Sequence, residues 1–309
     1  MSLQPSACNP LGTPPAELAI DSVLVRRLLA EQCPELATLP IRLVDTGWDN
    51  AIFRLGDRYA VRLPHRQTAA RLIEHEQTWL PQLAERLPLP VPTPLFEGLS
   101  NHNYPWRWSI LPWLPGRTID REPLDASQAT VFAAFLHSLH VPAPPHAPTN
   151  PVRGVPLVSR AESVKQRLER LSNVTNTISP KVLQAWHTAV AAPIDVEPTW
   201  IHGDLHPRNV LASNGQLAGI IDWGDMASGD RATDLAAFWM LFTNRDVRQQ
   251  AIATYSRLSA VAISNATLQR AKGWAVHFGA VLLETGRVDN PRHAAMGEQI
   301  LNCIASDRE

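Results

Sequence analysis

The stretch "WIHGDLHPRNVL", residues 200–211, sets His202, Asp204, His206 and Asn209 within eight positions of one another, and Asp222 follows a few residues later in "IIDWGD". These residue types suit three kinds of chemistry. A His-x-Asp-x-His string could ligate zinc in a metal-dependent hydrolase through His202, Asp204 and His206. Asp204 and Asn209 could simply cap a structural turn. Phosphoryl transfer from ATP instead needs a carboxylate to take the proton of an acceptor hydroxyl, and two oxygen ligands to hold Mg²⁺ against the phosphates. Asp204 can supply the first, and Asn209 and Asp222 the second. No further His/Cys/Asp cluster at ligand spacing completes a zinc site, and zinc would leave Asn209 and Asp222 without a task. The order H-x-D-x-x-x-x-N and then D-x-G is the spacing used by phosphoryl-transfer enzymes.

The elements around these residues must bring them together. "VLASNGQLAGIIDWGD" is two short apolar runs about Asn214-Gly215, a strong hairpin signal that places Asn209 and Asp222 at the two ends of one hairpin. Upstream, "IRLVDTGW", "NAIFRLGD" and "RYAVRLPH" are short runs separated by turn residues and read as an antiparallel meander. A helix is expected over about 17–32, with Leu18, Val25, Leu28 and Leu29 on one side. A second is expected over about 68–86, where Pro81 predicts a break or kink. From Asp125 the apolar spacing turns helical, over 127–140, about 158–172, 180–191 and throughout 231–305. "VPAPPHAPTNPVRGVP" (141–156) is a stiff connector. The division this predicts is an N-terminal lobe over 1–115, loosely held over 1–15, and a mainly helical C-terminal lobe over 116–309. Ligand sites favour the cleft between such lobes.

Bulk composition narrows the classes. The 309 residues are 45% hydrophobic and 18% charged, with a net charge of −1. Basic and acidic residues are interspersed, which gives no electrostatic case for nucleic acid or an anionic membrane surface as partner. No apolar run reaches the ~18 residues a membrane-spanning helix needs. The N-terminus shows neither the basic start nor the apolar core of a secretory signal. Cys8, Cys33 and Cys303 form no CxxC pair and suit a reducing cytoplasm.

"HGDLHPRNVL" with "IIDWGD" resembles the catalytic signature of the aminoglycoside phosphotransferase family, the antibiotic-kinase-like branch of the protein-kinase-like fold. "DTGWDNAIFRL", "YAVRLP", "EQTWLPQLAERLPLPVPTP", "PWLPG" and "GDRATDLA" resemble it in the expected order, so the likeness spans about residues 17–240. It implies an α+β, two-lobed fold and an ATP- and Mg²⁺-dependent kinase of a small-molecule hydroxyl, with GTP as an alternative donor. Asp204 then resembles the catalytic base, His202 the residue that props the catalytic loop, and Asn209 and Asp222 the Mg²⁺ ligands. Arg62 stands where protein kinases carry a phosphate-binding lysine, and keeps the positive charge. Asn50 closes the nucleotide loop, and the carbonyl of Pro112 and N–H of Leu114 correspond to the adenine-binding connector.

One of these relations has support outside the family. Glu76 falls inside the apolar stripe of its helix, whereas Glu74 lies roughly 200° away around it. A carboxylate on a buried face is costly unless paired, and Arg62 is the expected partner. Asp225, Asp230 and Asp234 are expected to be structural, with Asp230 capping a helix and Asp234 in its first turns. His137 and His140 are expected at a helix surface or in packing, and Trp113 and Trp223 are candidate walls of the cleft. The acceptor is left open among aminoglycoside, macrolide, sugar and amino alcohol, although nine acidic against nine basic residues over 223–309 show no acidic excess for a polycation. A nucleotide-binding pseudokinase is the rival within the same fold. A monomer or weak dimer is expected.

Overall fold

The computed structural model describes residues 11, 12, 14–259 and 262–307. The Pro-rich start with Cys8 falls almost wholly outside them. The expected meander forms from β1 (Ile41–Thr46), β2 (Asn50–Leu55) and β3 (Tyr59–Pro64), paired antiparallel in register Phe53↔Val61 and Ile52↔Arg62. With β4 (Phe96–Gly98) and β5 (Trp108–Pro112) they make a five-stranded sheet in the order β1-β2-β3-β5-β4. The alternating apolar positions Phe53, Val61 and Ile110 are buried together with Val25, Leu28 and Leu29 of α1 (Ser22–Gln32). That helix starts five residues later than its apolar pattern predicts. Asp21 Oδ1 accepts the Leu24 N–H at 2.8 Å and caps it there, while the N–H groups of Glu17 and Leu18 both turn to His65 O.

The helix α2 (Gln67–Ala84) runs through Pro81 without the expected break. A mid-helix proline costs ~3 kcal/mol. Leu80 and Leu83, on either side of it, are buried in the core of the helical lobe, whereas Ala70 near the other end is buried under the sheet. Anchoring in both cores offsets the lost hydrogen bond.

Over residues 113–116 the chain leaves the five-stranded sheet and enters a second one. There β6 (Arg117–Thr118), β8 (Val210–Ser213) and β9 (Gln216–Ile220) pair in the order β6-β8-β9, and β7 (Thr199–Ile201) pairs with β10 (Ala227–Gly229). Asn214 and Gly215, at φ 53° and 75°, make the left-handed pair that a two-residue hairpin turn requires. Helices α3 (Gln128–Leu139), α4 (Ala161–Ser172), α5 (Pro180–Ala191), α6 (Ala232–Leu235), α7 (Ala237–Leu241), α8 (Arg245–Leu258), α9 (Asn265–Asp289) and α10 (Pro291–Ser306) enclose the larger core. Cys33 and Cys303 are free and buried. Among the described residues no helix is long and apolar enough to cross a membrane.

Candidate active site

The segment 202–209 links β7 to β8, and its shape is held from beneath. Asp234, fully buried on α6, accepts the N–H of His202 at 2.7 Å and of Gly203 at 2.8 Å. Its Oδ2 also meets His140 Nε2 at 3.3 Å, and His140 Nδ1 bonds the Tyr255 hydroxyl at 2.7 Å. His140 is therefore a buried network residue rather than a surface one, and Asp234 supports the loop rather than merely opening a helix. Gly203 sits at φ +86°, where a Cβ would stand 2.6 Å from Asp225 O. Only glycine fits that approach.

His202 is wholly buried with both ring nitrogens committed. Nδ1 accepts the Asp204 N–H at 3.2 Å and Nε2 donates to Ile221 O at 3.0 Å, tying the loop to the residue before Asp222. Its ring packs 4.6 Å from that of Trp223, which is fully buried and donates to Ile220 O. Trp223 is thus core rather than a cleft wall. Trp113 takes Arg54 over its ring at 4.0 Å.

Asp204 and Asn209 are joined directly. Asn209 Nδ2 donates to Asp204 O at 2.9 Å and to Asp204 Oδ2 at 3.2 Å. Burial works against the Asp204 charge, but His206, 3.4 Å from Oδ2, and Arg153, 3.0 Å from Oδ1, outweigh it and hold its carboxyl well below the usual range. Asp222, half exposed at the end of the hairpin, adopts φ +64° and receives Arg62 Nη2 at 2.5 Å. A non-glycine residue held there stores strain of the kind concentrated at functional sites.

Arg62 is the hub between the sheets. Its Nη1 lies 2.5 Å from Oε2 of the fully buried Glu76, so the pairing expected from the helix stripe is present. Burial opposes the Arg62 charge, yet Glu76 and Asp222 raise its pKa; burial pushes the Glu76 carboxyl up to about 7. Asn50, also buried, lies against Arg62, and turning its amide so that Oδ1 meets the guanidinium lets it accept from Nε at 3.2 Å and Nη2 at 3.0 Å. Pro112 ends β5 opposite Tyr59, the following Trp113 N–H donates to Arg58 O, and Leu114 lies over Gly219 of the hairpin.

A family model described as the phosphotransferase enzyme family matches residues 40–274. The chain belongs to that family. Its fold is the α+β, two-lobed arrangement of the antibiotic kinases. The chain is similar to an aminoglycoside 2'-phosphotransferase-IIIa in its GDP complex (TM-score 0.66, 16% identity, 93% of this chain and 99% of that one). It is also similar to a macrolide 2'-phosphotransferase type I (0.60, 21%, 93% and 99%) and to a streptomycin–ATP–APH(2")-IIa ternary complex (0.56, 16%, 85% and 91%). A Deinococcus radiodurans protein described only as uncharacterised is 31% identical over 157 residues, 47% of this chain. The match spans 42% of that relative's length.

Asn209 and Asp222 also carry side-chain oxygens that are not committed to the protein. With Nδ2 of Asn209 given to Asp204, its Oδ1 has no hydrogen bond among the described residues, and neither has Asp222 Oδ2. Two such hard oxygens, one from an amide and one from a carboxylate, are of the kind that suits Mg²⁺. The zinc reading fails on the same geometry. His202 has no lone pair left, His206 Nδ1 accepts the Arg208 N–H, and the described residues contain no group of three or more His, Cys, Asp or Glu placed to hold a metal.

Sequence reasoning missed Arg153 altogether. It lies in the Pro-rich connector, 51 residues before the aspartate it bonds, and no local pattern announces it. Asp230 does cap, accepting the Ala232 N–H at 3.0 Å, and it also pairs with Arg270 at 2.7 Å. Asp225 is bonded by Asn150 Nδ2 at 2.7 Å, and burial pushes its carboxyl up to about 6.

Proposed function

We propose that this protein transfers the γ-phosphoryl group of ATP, or GTP, to a hydroxyl of a small molecule, with Mg²⁺ as cofactor. The observation that carries the reading is Arg62, which bridges Glu76 of α2 and Asp222 of the hairpin. A single cation thereby registers the nucleotide-binding sheet against the catalytic segment, in the cleft between an N-terminal lobe (1–115) and a C-terminal lobe (116–309). When phosphates enter, Arg62 can give up part of Asp222 to them, which frees that carboxylate for the metal. Asn209 and Asp222 would hold Mg²⁺, whose charge is spread against the developing phosphoryl charge.

Asp204 accepts the acceptor's proton as the hydroxyl oxygen bonds to the γ-phosphorus and the bond from phosphorus to the β–γ bridging oxygen breaks, releasing ADP. Its carboxylate is ionised at neutral pH and is oriented by Asn209 and by the His202 contact to its own N–H. Asn50 backs Arg62, and Pro112 and Leu114 supply backbone groups for the base. Catalysis in this scheme is mainly positioning and charge neutralisation.

ADP release is measured over a panel of hydroxyl compounds for wild type and Asp204→Asn, alongside calorimetric ATP·Mg binding. The expected result is turnover with one acceptor class, lost by about 10²- to 10⁴-fold in the variant, with nucleotide binding kept. Nucleotide binding with no Asp204-dependent turnover identifies a binding protein without transfer activity. No nucleotide binding at all overturns the reading.

A further inference from the structure

One side of Asp204 is walled by arginine, and that wall is built rather than incidental. Arg153 is fixed by its own segment. Asn150 Oδ1 accepts the N–H groups of Val152 at 2.9 Å and Arg153 at 3.0 Å, and Gly154 is clamped between Thr233 Oγ1 and the Asp230 N–H. Gly154 crosses Gly229 of β10 so closely that a Cβ on Gly229 would stand 2.7 Å from Gly154 Cα. From this anchored backbone the Arg153 guanidinium stacks 4.7 Å over the Phe278 ring of α9 and reaches Asp204 Oδ1 at 3.0 Å. Its Nε is shut off from solvent without a hydrogen-bond partner.

Further cations lie near it. Arg160, at the end of the short 3-10 turn Leu157–Arg160, is close enough for its charge to feel Arg153 and Arg167. Arg167 and Arg170 share Glu284, each at 2.7 Å. Arg160 has no such partner: among the described residues no carboxylate lies within ion-pair distance of it, and its Nε is buried and unbonded. His277, next to Phe278 and 1% exposed, also has an unpartnered buried Nδ1. Burial first, and then the three arginines, hold its pKa well below the ordinary value, so it stays neutral.

The charge balance decides what such a wall prefers. Asp204 and Asp225 face Arg153, Glu284 is used by Arg167 and Arg170, and Arg160 is left over. An acceptor bearing ammonium groups would bring them against Arg153 and Arg160, where like charges repel. A carboxylate or phosphate would meet planar, donor-rich guanidinium groups suited to bidentate contact.

Resting on the kinase reading above, we propose that the acceptor is an oxyanion-bearing hydroxyl compound, whose anionic group is held by Arg153 and Arg160 while its hydroxyl faces Asp204. Arg153 turns from Asp204 to the substrate oxyanion as the acceptor binds, which leaves the base free for the incoming hydroxyl. An empty site keeps Asp204 paired and stable; an occupied one presents it to the acceptor.

Binding of gluconate, glucose 6-phosphate, sorbitol and glucosamine is measured by calorimetry on the full chain loaded with Mg²⁺ and a non-hydrolysable ATP analogue. Wild type should bind one or both oxyanions at least about tenfold tighter than sorbitol and glucosamine, the size of one charge-assisted hydrogen bond. Whichever of the two binds better tells a carboxylate site from a phosphate site. Arg160→Gln should erase the preference and Arg160→Lys should restore most of it, a pattern that a merely structural role for Arg160 does not produce. Preference for glucosamine, no preference by charge, or no binding of any of the four overturns the inference. The analogue's own affinity, read on the same wild-type sample, separates the failures: loss of nucleotide binding sinks the kinase reading, whereas intact nucleotide binding without charge preference sinks only the anionic acceptor.

Discussion

Asp234 accepts the backbone N–H of His202 at 2.7 Å, and with the neighbouring bond to Gly203 it holds the loop carrying Asp204 from 31–32 residues away. A short segment with few backbone partners of its own needs such a support, because a buried N–H without an acceptor is costly. Asp234→Ala strips the acceptor from His202, Gly203 and His140 together. The expected loss of stability is about 3 kcal/mol or more, since each orphaned buried donor costs ~1–3 kcal/mol. Urea unfolding reports it, and an unchanged midpoint would show that the loop keeps its shape unaided.

Glu76→Gln keeps the shape of the buried side chain and removes its charge. Arg62 then depends mainly on Asp222 for its counter-charge, so it is drawn more tightly to the carboxylate proposed to hold the metal. The expected outcome is an increase of about tenfold in KM for ATP, the loss of roughly one charged hydrogen bond. Steady-state kinetics at saturating acceptor measure it. A change confined to kcat would place Glu76 outside nucleotide binding.

Gly203→Ala forces a side chain into a left-handed residue that costs ~1–2 kcal/mol for backbone conformation alone. The new Cβ would also meet Asp225 O at 2.6 Å. Relief requires moving either the Asp204 loop or the segment just after Asp222. We expect turnover to fall far more than thermal stability, with kcat and melting temperature measured on the same preparation.

Chelation of Mg²⁺ should stop transfer and its return should restore it. Asn209→Ala removes one oxygen proposed to hold the metal, and the amide that bonds Asp204. The Mg²⁺ concentration for half-maximal rate should rise at least about tenfold, the lower end of what even an outer-shell partner contributes. A magnesium titration of the initial rate gives the answer directly, and an unaltered requirement would remove Asn209 from the metal site.

Stability should fall on acidification below pH ~6.5. His75, His140, His202, His277 and His293 all have pKa values lowered from 6.5, chiefly by burial, with His293 at about 4. Each takes up a proton in the unfolded chain before it does so in the native one. Stability present above 6.5 is therefore lost as pH falls from there toward the native values. Glu76 and Asp225, pushed up to about 7 and about 6, bind protons first in the native chain and act the other way, two groups against five. Urea midpoints from pH 8 to 5 should decline, and a midpoint that rises toward pH 5 would reverse this account.

Much of the scaffold is written locally. Turn residues and alternation along 41–65 suffice for the meander, because a two-fold side-chain period and short turns leave little choice of pairing. Asn214-Gly215 marks its hairpin for a similar reason, since that pair is strongly favoured where both turn residues must be left-handed. Even the Arg62–Glu76 contact is legible, because a carboxylate on a buried helix face demands a partner. By contrast α2 passes through Pro81, since the gain that holds it comes from two cores remote in sequence.

The sequence by itself determined which side chains could do the chemistry: Asp204, Asn209 and Asp222 at a telling spacing, and Arg62 with Glu76 as a charge pair. Only the tertiary structure decided how they are used. It set Asp222 against Arg62 across 160 residues, put Asp234 and His140 beneath the loop, and laid Arg153 on Asp204. Those relations depend on where two lobes and a Pro-rich connector meet in space. Spacing along a chain reports the period of a helix or strand, and carries no information on which distant loop will face it.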